Sequence, residues 1–165
     1  MPGRYSFDVA PYLREIVDCL DRRSPVRYID VMKGAQVGAT VGILENGIGY
    51  CAEHEKNQPM ILATADSDMA AQRLEQYVLK MFHASGLMRI VRSGDVGNKR
   101  KAGRTARKME WTGGGSLMAL GAKSPGKMRS FSVSRLLEDE VDGWPDKVGK
   151  DGDPTALLEA RTNSF

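Results

Sequence analysis

Two short stretches of this chain carry residue types whose spacing could do chemistry on a phosphate. The first is Met32-Lys33-Gly34-Ala35-Gln36-Val37-Gly38-Ala39-Thr40. It follows a short apolar segment, Tyr28 to Met32, and precedes a segment that reads as a helix. A strand, a glycine-bearing turn and a helix start can cradle an anion, because free backbone N–H groups and the helix dipole both face it. The usual phosphate-loop pattern is G-x-x-x-x-G-K-[ST]. With Gly38 as the second glycine and Thr40 as the hydroxyl, Lys33 falls at the first-glycine position and Ala39 at the usual lysine position. The loop thus keeps its turn, its hydroxyl and a lysine, with the lysine moved to the opposite end.

The second stretch lies about a hundred residues on. Phe131 to Leu137 reads as a strand, and it ends in Glu138-Asp139-Glu140-Val141-Asp142. Acidic residues at the carboxyl end of a strand lie where open α/β sheets bind ligands. Phosphoryl transfer needs an aspartate there to hold Mg²⁺ and a group to orient or deprotonate the attacking water. Asp139 fits the metal role and Glu140 the base role. The two stretches occur in the order that nucleoside-triphosphate hydrolysis requires, and each sits at a strand end.

The intervening elements must hold these stretches together. Leu13, Ile16, Val17 and Leu20 fall at helical spacing between Ala10 and Leu20, and Arg22-Arg23-Ser24-Pro25 ends that helix. The helix after the loop starts near Ala39, with Val41, Leu44, Ile48 and Cys51 along one face. Gly42, Gly47 and Gly49 weaken it intrinsically and permit close packing. Pro59 introduces a second apolar strand, Met60 to Ala65. Ser67 or Asp68 can cap the next helix, which runs to about Ala84 with Ala70, Leu74, Tyr77, Val78 and Met81 inward; Ser85-Gly86 ends it. Met109 to Thr112, a three-glycine turn, and Ser116 to Gly121 read as a hairpin or two nearby strands. Lys123 to Arg129 reads as a loop or short helical turn. Alternating helices and strands predict an α/β fold with a mostly parallel sheet flanked by helices.

Composition narrows the class. The chain has 165 residues, 41% hydrophobic and 27% charged, enough for one core of ordinary size. A net charge of +3 does not by itself announce nucleic acid. The local run Lys99, Arg100, Lys101, Arg104, Arg107 and Lys108 does offer phosphate-neutralising charge, although a solvated loop explains it equally. Cys19 and Cys51 stand far apart, and His54 and His83 are isolated, so a reduced cytosolic protein without a disulfide scaffold or a histidine–cysteine metal cluster is expected. No long apolar run predicts a transmembrane helix, and Met1 to Ser6 lacks the apolar centre of a signal peptide.

Taken together, these motifs resemble the ATPase domain of the large terminase subunit of tailed phages, of the GpA type found in lambda-like phages. The resemblance rests on Ala10-Pro11-Tyr12-Leu13-Arg14-Glu15-Ile16, on the loop from Val31 to Thr40, on Ser124-Pro125 through Arg129-Ser130 leading to Asp139-Glu140-Val141-Asp142-Gly143-Trp144-Pro145, and on Gly152-Asp153-Pro154 with Leu157 and Arg161. It implies a P-loop NTPase fold of the RecA-like (ASCE) kind, with a lead-in over 1–26 and a partial ATPase core over 27–165. The nuclease domain is expected to be absent and the sheet truncated at its C-terminal end. It implies ATP and Mg²⁺ as cofactors, and Lys33 as the phosphate-contacting lysine with a catalytic role beside Glu140. Lys33, Gly34, Ala35, Gln36, Val37, Gly38, Ala39 and Thr40 would hold the nucleotide, Thr40 and Asp139 the Mg²⁺. Arg129 and Arg161 are candidates for an arginine sensor. Lys99, Arg100, Lys101 and Arg104 are candidates for DNA contact. The implied partners are double-stranded DNA, a small terminase subunit, the portal of the procapsid and further copies of the chain, in the host cytoplasm. Asp139-Glu140-Val141-Asp142 also fits a helicase-like DNA translocase, and Ala39 is compatible with a nucleotide-binding module that does not turn over.

Overall fold

The computed structural model describes residues 5–34, 36–92 and 104–163. Its frame is a five-stranded sheet in the order β2-β3-β4-β1-β5. The strands are β1 (Pro59–Thr64), β2 (Arg104–Thr105), β3 (Lys108–Glu110), β4 (Ser116–Gly121) and β5 (Arg135–Glu138). β1 is the central rail: it pairs in parallel with β4 on one side and with β5 on the other. β2 and β3 add antiparallel strands beyond β4. The carboxyl ends of β1, β4 and β5 therefore share one edge of the molecule, where such sheets bind ligands.

Both faces of the sheet are covered, so its strands read as continuous apolar runs rather than alternating ones. Met60, Leu62, Leu117 and Ala119 point into a core with Ile48, Leu74, Val78, Phe82 and Trp111. Ile61, Ala63 and Leu120 point the other way, onto Met128, Trp144 and Leu158. Each large apolar side chain fully buried in this way contributes roughly 1.5–3 kcal/mol. β5 follows the same alternation. Leu137 packs on the first face and Leu136 on the second.

The helices are α1 (Arg14–Asp18), α2 (Asn46–His54), α3 (Ser67–Arg73), α4 (Leu79–Ala84), α5 (Pro125–Met128) and α6 (Pro154–Glu159). A π-helical stretch, Thr40–Glu45, runs into α2, and another, Leu74–Val78, joins α3 to α4. The expected helix over 67–84 is thus continuous, with a π-helical middle between two α-helical ends. Its N-cap is Asp66, whose Oδ1 accepts from the N–H groups of Asp68 and Met69, and not Ser67 or Asp68. Gly86, at φ 74°, ends it as expected.

Glycine permits two of the close approaches. A Cβ on Gly121 would lie 2.3 Å from the backbone of Asp66 and Ser67, so β4 must end in glycine for α3 to start beside it. A Cβ on Gly42 would lie 2.5 Å from Leu13, so its absence lets the N-terminal segment lie against the loop helix.

Several expectations shift. Tyr28 to Met32 forms no strand: it runs unpaired among the described residues, with Tyr28 67% and Met32 103% exposed. The strand predicted from Phe131 begins only at Arg135, because Arg135 is the first residue opposite β1 and Phe131 faces solvent. The loop helix buries Ile43, Gly47, Ile48, Cys51 and Ala52 and leaves Val41 exposed, since the π-helical turns rotate the face that the 3.6-residue period assigns. Tyr77 is likewise half-exposed rather than inward.

Candidate functional site

The phosphate-loop candidate has the backbone of a tight turn. Gln36 and Gly38 both take positive φ, 57° and 73°. Only Gly38 adopts that region without steric cost, so Gln36 holds a conformation that few non-glycine residues accept. The turn is tied from outside. Tyr12 donates its hydroxyl to the Val37 carbonyl at 2.8 Å, and Val37 and Ala39 pack with Ala10, Leu13 and Ile43. This is what the 10–16 lead-in does: it props the loop. Lys33 and Gly34 are exposed, Ala39 is 5% exposed, and Thr40 opens the helix. Ala35 lies outside the described residues.

The acidic candidate lies at the end of β5. Asp139 donates its N–H to the Ala63 carbonyl at 3.0 Å, which extends the β1–β5 pairing by one residue. Its carbonyl accepts from the Trp144 indole at 3.1 Å, so the Gly-Trp-Pro turn that follows the acidic run clamps the aspartate backbone. The Asp139 side chain is 2% exposed. Glu140 turns the chain out of the sheet in the left-handed region, φ 55°, and its side chain is half-exposed.

A residue that the motifs do not single out joins the two ends. Arg73, the last residue of α3, places Nη2 3.1 Å from Asp139 Oδ2 and 3.8 Å from Glu140 Oε1. Its guanidinium lies over the Tyr77 ring, 5.1 Å from the centroid. It also reaches the loop helix electrostatically. Burial raises the pKa of Glu45, and the charge of Arg73 pulls it back down. The sequence did hold a signal. Arg73 sits three residues after Ala70 and four before Tyr77, so it is a charge on the expected inner face of its helix.

The acids outnumber the cations here. The Arg73–Asp139 contact is off-axis, so Asp139 Oδ2 gains charge but no hydrogen bond. Glu45 Oε1 is also buried without a donor among the described residues. A buried carboxylate oxygen that accepts no hydrogen bond is costly, and a cation that coordinates Asp139 Oδ2 directly would relieve the cost. Among the described residues no group of three or more His, Cys, Asp and Glu could hold a metal alone. Mg²⁺ commonly takes one or two protein oxygens and draws the rest from phosphate and water, so a single buried carboxylate such as Asp139 is the kind of ligand it uses.

Neighbouring Glu138 faces the opposite side of β5. Burial first, then the carboxylates of Glu159, Asp153 and Asp30, push its pKa up to about 7 from an ordinary 4.5. A raised folded pKa means that the native state binds more protons than the unfolded chain between those values. The stabilising contribution is full below the unfolded pKa and is lost as pH rises through about 7. Glu138→Gln should therefore flatten the fall in stability across that window. Urea midpoints at acid and at neutral pH check this: the variant should gain on the native chain only at neutral pH.

The remaining candidates have local partners. Arg129 pairs with Asp151, and Arg161 donates to the Arg129 carbonyl at 3.4 Å, which ties the end of α6 to α5. These partners, and not Asp139 or Glu140, hold the two guanidinium groups. Asp153 of the Gly-Asp-Pro segment caps α6. In the basic run, Lys99, Arg100 and Lys101 lie outside the described residues, Arg104 opens β2, and Arg107 pairs with Asp68. No helix among the described residues is long and apolar enough to cross a membrane.

The fold has a known counterpart. No curated protein matches the chain. Among solved structures, the large terminase from a thermophilic bacteriophage superimposes with a TM-score of 0.58 at 14% identity, over 90% of this chain. The chain spans 35% of the length of that terminase. At this identity the match establishes the fold alone, a mixed α/β fold shared with that large terminase. A family model described as phage terminase large subunit gpA, ATPase domain, matches residues 1–165. The match covers the whole sequence, so the chain is a member of the phage terminase large subunit gpA ATPase-domain family.

Proposed function

We propose that this domain binds ATP with Mg²⁺ and hydrolyses it to drive double-stranded DNA into a phage capsid. The observation that carries the reading is Asp139, buried at the carboxyl end of β5 with a side-chain oxygen lacking a hydrogen-bond donor. In this reading the backbone N–H groups from Gly34 to Thr40 form the Walker A cradle, and the Lys33 ammonium meets the β- and γ-phosphates. Asp139, the Walker B aspartate, and the Thr40 hydroxyl would hold Mg²⁺, which neutralises charge on the transferring phosphoryl group. Glu140 accepts the proton of the attacking water; its half-exposed carboxylate lies 3.8 Å from Arg73 Nη2. Gln36 braces the loop. Arg129 and Arg161 serve the γ-phosphate or a neighbouring subunit, which would require them to leave their present partners.

Family membership supports a reading of the whole protein's partners. Lys99, Arg100, Lys101 and Arg104 contact the DNA backbone, and the motor assembles as a homo-oligomer with a small terminase subunit on the portal of the procapsid, in the host cytoplasm. The test is Mg²⁺-dependent ATP turnover by the intact protein, with and without linear double-stranded DNA. Turnover that DNA stimulates supports the reading. Absence of ATP binding in Mg²⁺ overturns it.

A further inference from the structure

Two acidic side chains, Asp139 and Glu140, meet one guanidinium, and a third, Glu45 on the loop helix, feels its charge. Glu45 and Asp139 are buried at 7% and 2% exposure, Glu140 is half-exposed, and only Arg73 stands among them in the described residues. The guanidinium is one-fifth exposed and is fixed by the Tyr77 ring beneath it. Two π-helical stretches border the cluster: Thr40–Glu45 ends at Glu45, and Leu74–Val78 begins right after Arg73. Such wide turns are frequent at functional sites, because they re-aim side chains that an α-helix would direct elsewhere.

We infer that Arg73 is a positioning residue which occupies Asp139 in place of the divalent cation and yields it when the cation arrives. This rests on the assignment of Asp139 to the metal. A guanidinium and a hydrated dication cannot both sit against the same buried carboxylate oxygen, so the two compete. Displaced from Asp139, Arg73 keeps Glu140, 3.8 Å away before any movement, and holds that carboxylate for its work on water. The off-axis contact with Asp139 suits this exchange. It supplies charge without the hydrogen bond that would make release slow. Tyr77 limits the swing, since the cation–π contact keeps the guanidinium at the site after release.

The experiment is thermal unfolding of the intact protein, without nucleotide, in EDTA and in rising Mg²⁺. Native protein should respond little, because Arg73 already neutralises Asp139. Arg73→Gln should melt lower in EDTA by about 4 °C or more and recover at least half of that loss in Mg²⁺. Arg73→Lys, which keeps the charge, should behave like the native chain. Tyr77→Leu, a change at a half-exposed ring, should shift the Mg²⁺ response in the same direction by a smaller amount. A loss of stability in Arg73→Gln that Mg²⁺ leaves unchanged would reduce Arg73 to a structural ion pair and overturn the inference. If Arg73→Gln does not fold, Tyr77→Leu decides: an Mg²⁺ response equal to that of the native protein overturns it. Failure of the ATPase reading looks different. It appears as native protein that binds no ATP, whatever Arg73→Gln does with Mg²⁺.

Discussion

ATP hydrolysis by the Glu140→Gln variant of the intact protein should fall roughly a hundredfold to ten-thousandfold, while ATP remains bound. The substitution keeps the side chain's length and removes only its capacity to take a proton. The backbone argues for the residue as well. Glu140 sits in the left-handed region, where a non-glycine residue costs of order 1 kcal/mol or more. A position chosen for stability would carry glycine or asparagine. Glu140→Gly should accordingly fold at least as stably as the native chain and still be inactive. Single-turnover phosphate release separates the chemical step from binding, and equilibrium fluorescence with an ATP analogue supplies the affinity. Unchanged phosphate release in Glu140→Gln would move the base elsewhere.

Lys33→Ala should lower kcat/KM for ATP by about a hundredfold, and adding a lysine at position 39 should not restore it. The usual phosphate-loop lysine would have to stand at Ala39. Here that position is 5% exposed and packs with Ala10, Leu13 and Ile43. An ammonium placed there enters an apolar cluster without a partner, so Ala39→Lys should destabilise the fold by about 2 kcal/mol or more. Lys33 is exposed on the far side of the turn and has no such constraint. The displaced lysine and the N-terminal prop are two sides of one arrangement: the lead-in fills the space that a lysine at 39 would need. Steady-state kinetics of Lys33→Ala, with and without Ala39→Lys, checks the first claim, and chemical denaturation the second. Recovery of turnover in the double variant would show that the two positions are interchangeable.

Much of the frame was legible because local pattern and burial agree. Met60 to Ala65 read as a strand since every residue from Met60 to Thr64 is buried, and the 67–84 helix kept its inward Ala70, Leu74 and Val78. The failures share a cause. Tyr28 to Met32 has strand composition, but a strand is stabilised by its neighbours, and none pairs with it among the described residues. Phe131 to Val133 likewise makes no pairing with β1, whose register begins at Arg135 with Ser134 donating its N–H to the Pro59 carbonyl just ahead of it. The candidate site was legible as two motifs and illegible as one cluster. Arg73 meets Asp139 across 66 positions of sequence, and no local rule links an arginine on a helix to an acid that distant. Glu45 was missed for a different reason. It lies three residues before Ile48, at the edge of the inner face, but as a charged residue it was not read as buried.

The indole that clamps Asp139 has an optical consequence. The chain holds two tryptophans, Trp111 and Trp144. Trp111 lies wholly inside the core, against Phe82, and its emission reports only whether the molecule is folded. Trp144 donates to the backbone of the acidic turn, so its emission follows that turn. A Trp111→Phe protein would therefore carry a native fluorophore one hydrogen bond away from the residue assigned to the metal, and loading of the site could be followed without a label.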